Sequence, residues 1–264
     1  MVVLRRGSKG EEVRKLQRLL GIGDDGIFGY GTERAVKDFQ RRHMLYPDGV
    51  VGKKTWEALT PTLPPQGEEI DIVDGHINTH ITPLLNRDIK YIAIHYTAGR
   101  TSKPGTALAT RSVFLTRSAS ADFVVDDEQI VQINPDLKNY YCWAVGDARN
   151  PYTGGASLHG KANNRNTVSI EICSNLLPET SAACPNHEGW YFTDVSLNNA
   201  LRLVRWLMKK FNIPKSNVVR HYDITGKICP GVPNWNDFNM YDTKGKLTSK
   251  KNNSNEWKTF WDKI

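Results

Sequence analysis

The sequence predicts an α/β domain built on a mixed β-sheet with flanking helices, preceded by a small unit of three short helices. Three observations carry that expectation. Two runs, KYIAIHY at 90–96 and VSIEIC at 168–173, alternate with the period of a strand. Asp194 to Phe211 repeats Leu197, Ala200, Leu201, Val204, Leu207, Met208 and Phe211 at helical spacing, with Ser196 placed to cap it. The first sixty residues repeat a DG-apolar-apolar-G-x-x-T unit, at Asp25 to Thr32 and again at Asp48 to Thr55.

The repeat organises residues 1–60. Thr32 and Thr55 are placed to N-cap helices over ERAVKDFQRRH and WEAL, and Ser8 with Glu11 forms a capping box before a stripe of Val13, Leu16, Leu19 and Leu20. Ala35, Val36, Phe39, Trp56 and Leu59 complete a core with Ile27 and Val50. Residues 61–80 read as a linker, because PTLPPQG at 61–67 has three prolines and a glycine. The main domain is expected at 81–235, with 236–264 as a packing tail carrying Trp257, Phe260 and Trp261.

Composition narrows the function. The chain has 264 residues, 39% of them hydrophobic, which is enough for a buried core. A net charge of +7 and a pI near 9.2 favour a polyanionic partner: nucleic acid, a membrane surface or an anionic cell wall. No basic-aromatic repeat supports nucleic acid. No apolar run approaches the ~20 residues that span a bilayer, and MVVLRRGSKG lacks the apolar stretch of a secretory signal. Stable membrane insertion is therefore not expected, and a monomer is. The four cysteines form no CxxC pair; Cys173 and Cys184 either bridge or lie as isolated buried thiols.

The chemistry concentrates in RHYDITGKICPG at 220–231, which gathers His221, Asp223, Lys227 and Cys229. Imidazole and thiolate suit a borderline-soft ion such as zinc, and Thr225-Gly226 turns the chain between them. A catalytic zinc takes three protein ligands, so one more comes from elsewhere. His95 lies on the strand face opposite Ile92 and Ile94, near the strand's carboxyl end, as either a structural histidine or that ligand. Ala121 to Asn134 reads as a hairpin around an acidic turn. Glu171 shares a strand face with Ser169 and Cys173, either on a solvated edge or facing a site as general base. Asp223 either orients an imidazole or braces the loop.

Residues 4–60, through GSKGEEVRKLQRLL, DGIFGYGTERAVKDFQ and DGVVGKKTWEAL, resemble the peptidoglycan-binding domain of bacterial and phage wall hydrolases. Tyr30, Arg34 and Arg41 are the exposed candidates for binding. IAIHYTAG, SADFVVDDEQIVQ, NTVSIEIC and RHYDITGKICPG, in that order, resemble the zinc-dependent N-acetylmuramoyl-L-alanine amidases of the type 2 family, which includes small phage lysozymes and peptidoglycan recognition proteins. The resemblance implies zinc on His95, His221 and Cys229, Glu171 as the catalytic glutamate that takes a proton from the attacking water, and Lys227 stabilising the oxyanion. It also implies a type 2 amidase fold, peptidoglycan as partner, and an endolysin made in a host cytoplasm and released onto the wall. The competing expectations are a non-catalytic recognition protein, a zinc endopeptidase of the stem peptide, and an exported bacterial wall hydrolase. The chain departs from the family at Ala121-Asp122, where some members have Tyr-His, and at Ala144, where many have His after the tryptophan.

Overall fold

The computed structural model describes residues 2–42, 45–59, 69–150, 153–177, 180, 184–241, 247–251 and 254–264. It divides into two compact units, Met1–Leu63 and Pro64–Ile264. The linker stretch 61–67 lies outside the described residues.

The first unit holds α1 (Glu11–Leu19), α2 (Tyr30–Arg42) and α3 (Lys53–Leu59) around Leu4, Val13, Leu16, Phe28, Val36, Phe39, Val51, Trp56 and Leu59. Its repeat is real, but its threonines do not cap. Glu33 N–H already bonds Gly29 O and Trp56 N–H bonds Gly52 O, so each helix begins before its threonine. Thr32 and Thr55 are instead buried acceptors for Gln17 and Gln40. Gln17 also donates to Asp25 Oδ1 and Ile27 O and accepts from Gly26 N–H. Gln40 makes the same set with Asp48, Val50 and Gly49. Each repeat is thus a turn locked from within by one buried amide. The inward apolar residues are the second of each pair, Phe28 and Val51, while Ile27 and Leu19 are exposed. Ser8 accepts from Arg5 N–H, and Gly10 takes the N-cap of α1 without a side-chain bond.

The second unit runs β1 (Ile72–Asp74), β2 (Ile81–Pro83), β3 (Tyr91–Tyr96), α4 (Thr106–Thr116), β4 (Phe123–Val125), β5 (Ile130–Gln132), β6 (Tyr140–Cys142) and β7 (Thr167–Ile172). There follow β8 (Asn175–Leu176), β9 (Trp190–Tyr191), α5 (Asp194–Phe211), β10 (Val218–Arg220), α6 (His221–Thr225), β11 (Phe238–Tyr241), β12 (Leu247–Lys251) and α7 (Asn255–Asp262). Six strands form one sheet in the order β1-β5-β4-β7-β3-β10, parallel except for the β4–β5 hairpin. β1 lies inside the stretch 61–80 expected as linker. Its pairing with β5 makes 72–74 part of the sheet.

The two faces of the sheet differ. Ile92, Ile94, Phe123, Val168, Ile170 and Ile172 pack under Ala200, Leu201, Val204 and Leu207 of α5. Thr193, not Ser196, caps α5, accepting from Ser196 N–H at 3.1 Å. Phe260 of α7 enters the same core, so the sheet unit extends past residue 235. On the opposite face α4 covers Val124, Val131 and Cys173, while Val145, Ala162 and Ile224 cover Ala93 and Val219.

Candidate active site

Alternation along the strands sends Ile94 and Ile170 toward α5, and so sends their neighbours His95 and Glu171 to the other face. The two are register partners across β3 and β7, at the carboxyl ends of both strands. Their side chains meet there, His95 Nδ1 lying 4.0 Å from Glu171 Oε1.

β10 runs parallel to β3, so its end delivers His221 beside His95. The segment expected as a loop opens as the short helix α6, which ends after its fifth residue, Thr225, and turns through Gly226 at φ 80. A side chain at Gly226 would fall on the Asn150 carbonyl. Tyr222 N–H then bonds Cys229 O at 3.0 Å and folds the thiol back over the histidines. His221 Nδ1 is 3.1 Å and Cys229 Sγ 3.7 Å from His95 Nδ1, and donor atoms of the three residues lie within 4.8 Å of one another. All three residues are buried.

Electrostatics set the protonation of this cluster. Burial, then the charges of His221 and Lys227, hold His95 well below the usual imidazole range; burial and Lys227 bring His221 down to about 3. Burial raises Glu171 to about 8, opposed by Lys227, and burial with the Glu171 charge pushes the Cys229 thiol up. Lys227 is exposed, yet its charge reaches all four groups. His95 Nε2 and Glu171 Oε2 are buried without a hydrogen-bond partner. A cluster of neutral imidazoles, a thiol and an unsatisfied carboxyl suits a cation with room for a further ligand.

Asp223 does not touch an imidazole. It accepts from Arg220 N–H at 2.8 Å, from its Nε at 2.9 Å and from its Nη2 at 2.6 Å, and so braces the turn that carries His221. Two further contributors lie beside the cluster. Arg220 also donates to Trp235 O, and its pairing with Asp223 three residues on was readable as a local ion pair. Tyr96 packs edge-on against Trp190, and its hydroxyl closes on Gly231, where a side chain would strike the ring. No sequence signal marks that contact.

The departures have structural partners. Asp122 forms a buried ion pair with Arg87, and Ala144 N–H is held by the Asn164 side chain. Cys173 and Cys184 are free thiols, because Cys173 points into the α4 core while Cys184 is exposed. In the first unit Tyr30, Arg34 and Arg41 share one face of α2. Tyr30 is 73% exposed beneath Arg6, and Arg41 pairs with Asp38 at 2.6 Å.

Known families match both units. The family described as N-acetylmuramoyl-L-alanine amidase matches residues 85–232, and that described as putative peptidoglycan binding domain matches 9–59. The N-acetylmuramoyl-L-alanine amidase CwlH of Bacillus subtilis is 33% identical over 166 residues, 60% of this chain and 56% of CwlH. A spore cortex-lytic enzyme of Bacillus cereus is 40% identical over 63 residues, 22% of this chain and 24% of that enzyme. The chain thus spans about half or less of these relatives. The solved catalytic domain of XlyA aligns with 61% of this chain and 90% of its own, at 27% identity and a TM-score of 0.43.

Proposed function

Because the chain belongs to the N-acetylmuramoyl-L-alanine amidase family through residues 85–232, we propose that it hydrolyses the amide joining the lactyl group of N-acetylmuramic acid to L-alanine of the peptidoglycan stem. The observation that carries this reading is the meeting of His95, His221 and Cys229 beside Glu171.

The three donors fit zinc. Tetrahedral binding at about 2.0–2.3 Å asks nitrogen and sulfur donors to lie roughly 3–4 Å apart. The separations from His95 Nδ1, 3.1 and 3.7 Å, meet that requirement, and the neutral imidazoles present free lone pairs. When bound, the ion polarises a carbonyl and draws the pKa of water toward ~7.

The chain's own residues supply the rest. Glu171, with its proton affinity raised by burial, takes a proton from water as the water oxygen bonds to the lactyl carbonyl carbon. It returns that proton to the nitrogen as the C–N bond breaks. Lys227 offers its ammonium to the charge that develops on the former carbonyl oxygen. The N-terminal unit holds the wall, with Tyr30, Arg34 and Arg41 as its contact face, and the pairing of the two units supports a phage or prophage endolysin. Among the described residues no helix is long and apolar enough to cross a membrane.

Peptidoglycan incubated with the protein, with and without a chelator, tests this reading by mass spectrometry. The expected products are a free muramic lactyl carboxylate and an N-terminal L-alanine, lost on chelation and restored by zinc. Cleavage within the stem peptide would make the protein an endopeptidase, and intact wall with bound protein would make it a recognition protein.

A further inference from the structure

The sheet unit carries a second chemical surface, on the face away from the site. From Val195 to Tyr222 the sequence holds Arg202, Arg205, Lys209, Lys210, Lys215 and Arg220 and no aspartate or glutamate. Arg202, Arg205, Trp206 and Lys209 recur at i, i+3, i+4 and i+7, one stripe of α5, while Leu203, Val204 and Leu207 face the core. A helix face that is merely solvated ordinarily mixes both signs in i,i+4 pairs; Arg202 reaches the Glu69 carbonyl, but α5 beyond Asp194 carries no acid to pair with Arg205, Lys209 or Lys210.

α7 extends the stripe. Arg205 donates to the Lys263 carbonyl, Lys215 Nζ lies 4.3 Å over the Trp261 ring, and Lys210 Nζ lies 4.2 Å over Trp206. The acids of α7 are Glu256 and Asp262, against Lys258 on the helix and Lys263 just after it. Lys209 and Lys210 stand exposed at the centre. Residues 255–264 lie beyond the stretch matched by the amidase family, so this part of the surface is not an inherited feature of that match.

We propose that this face binds a flexible polyanion, a phosphodiester-linked polyol polymer, and so tethers the sheet unit to an anionic wall independently of the bond it cuts. Charge complementarity selects the class. A lipid surface would call for apolar side chains that project from the helix. Trp206 and Trp261 are instead partly buried and overlaid by lysines, and among the described residues the exposed large apolar residue of α5 is Val195, at its far end. Single-stranded nucleic acid would call for open aromatic faces on which bases stack. The same lysines overlie those faces.

The test measures binding of the full-length protein to poly(glycerol phosphate) across a salt series. Lys209→Glu with Lys210→Glu is compared with Lys103→Glu with Lys161→Glu, a double reversal of equal net charge at exposed sites elsewhere. The α5 pair should weaken binding at least tenfold and flatten the dependence of log K on log salt by about 1 or more; the control pair should weaken it less than threefold. Equal loss in both pairs would reduce the surface to net charge and overturn the proposal. Absence of binding to the polymer by the unaltered protein, or tighter binding to phosphatidylglycerol vesicles or to single-stranded DNA, would overturn it too. Cleavage of soluble muropeptide by the α5 variant should match the unaltered protein, which separates loss of tethering from failure of the amidase reading.

Discussion

Two buried polar clusters sit on the same sheet, and they are built in opposite ways. Around Arg87, itself 1% exposed, the guanidinium donates to Asp122 and to the carbonyls of Leu137, Tyr140, Asn164, Arg165 and Thr167. Asp122 also accepts from Asn134 at 2.6 Å and Ser169 N–H at 2.8 Å. Its charge is matched and its polar atoms are bonded. Around His95 the lone pairs converge on one another, and His95 Nε2 and Glu171 Oε2 have no partner. A satisfied buried network holds a fold together, whereas a buried network short of partners is arranged for something that arrives later.

The sharpest break in that comparison is Cys229→Ala. It should abolish amide cleavage and zinc retention, read by product mass and metal content, while the metal-free protein melts near the temperature of unaltered metal-free protein. Glu171→Gln should lose ~10²–10⁴ in kcat with zinc still bound, and near-normal turnover would remove it from the chemistry. Lys227→Ala should lose ~10²–10³ in rate, again with zinc retained. Asp122→Ala should reverse the pattern. It leaves the Arg87 charge uncompensated and costs about 3–5 kcal/mol in urea unfolding, while the folded fraction keeps its zinc. Loss of zinc without loss of stability would erase the distinction between the clusters.

The smallest effect is on the pH dependence of the metal-free protein. His221, with its pKa depressed from 6.5 to about 3, adds stability that is present above 6.5 and lost as pH falls toward 3; His95 acts in the same direction. Glu171, raised from 4.5 to about 8, adds stability that is present below 4.5 and lost as pH rises toward 8. Between 4.5 and 6.5 two histidines oppose one glutamate, so melting temperature should peak near pH 6.5 and fall on both sides. Zinc should remove the fall on the alkaline side and keep or steepen the fall on the acid side, since a cation favours an ionised glutamate and neutral imidazoles. A monotonic profile in the metal-free protein would detach these groups from folding.

Much of the site was legible because strand alternation is a local property. The positions of Ile92, Ile94, Ile170 and Ile172 assign His95 and Glu171 to the other face before any partner is known. The Gly226 turn likewise brings Cys229 back toward His221 from local chemistry alone. The capping residues were misread for a converse reason. Thr32 and Thr55 fit a local capping pattern, but buried amides at Gln17 and Gln40, fifteen residues before each, compete for their hydroxyls. Asp122 offered no sign of Arg87, thirty-five residues away, because an ion pair closed by strand packing leaves no spacing in the chain.

The sequence by itself determined the strand periods, the amphipathic helix, the repeated turn and the residue types able to hold a metal, since each depends on neighbours within a few positions. Tertiary structure alone decided that β10 lies beside β3, that β1 and α7 belong with the sheet, and that His95 meets Glu171 in register. Those outcomes depend on which surfaces can be buried together. That is a property of the assembled chain, and no single segment records it.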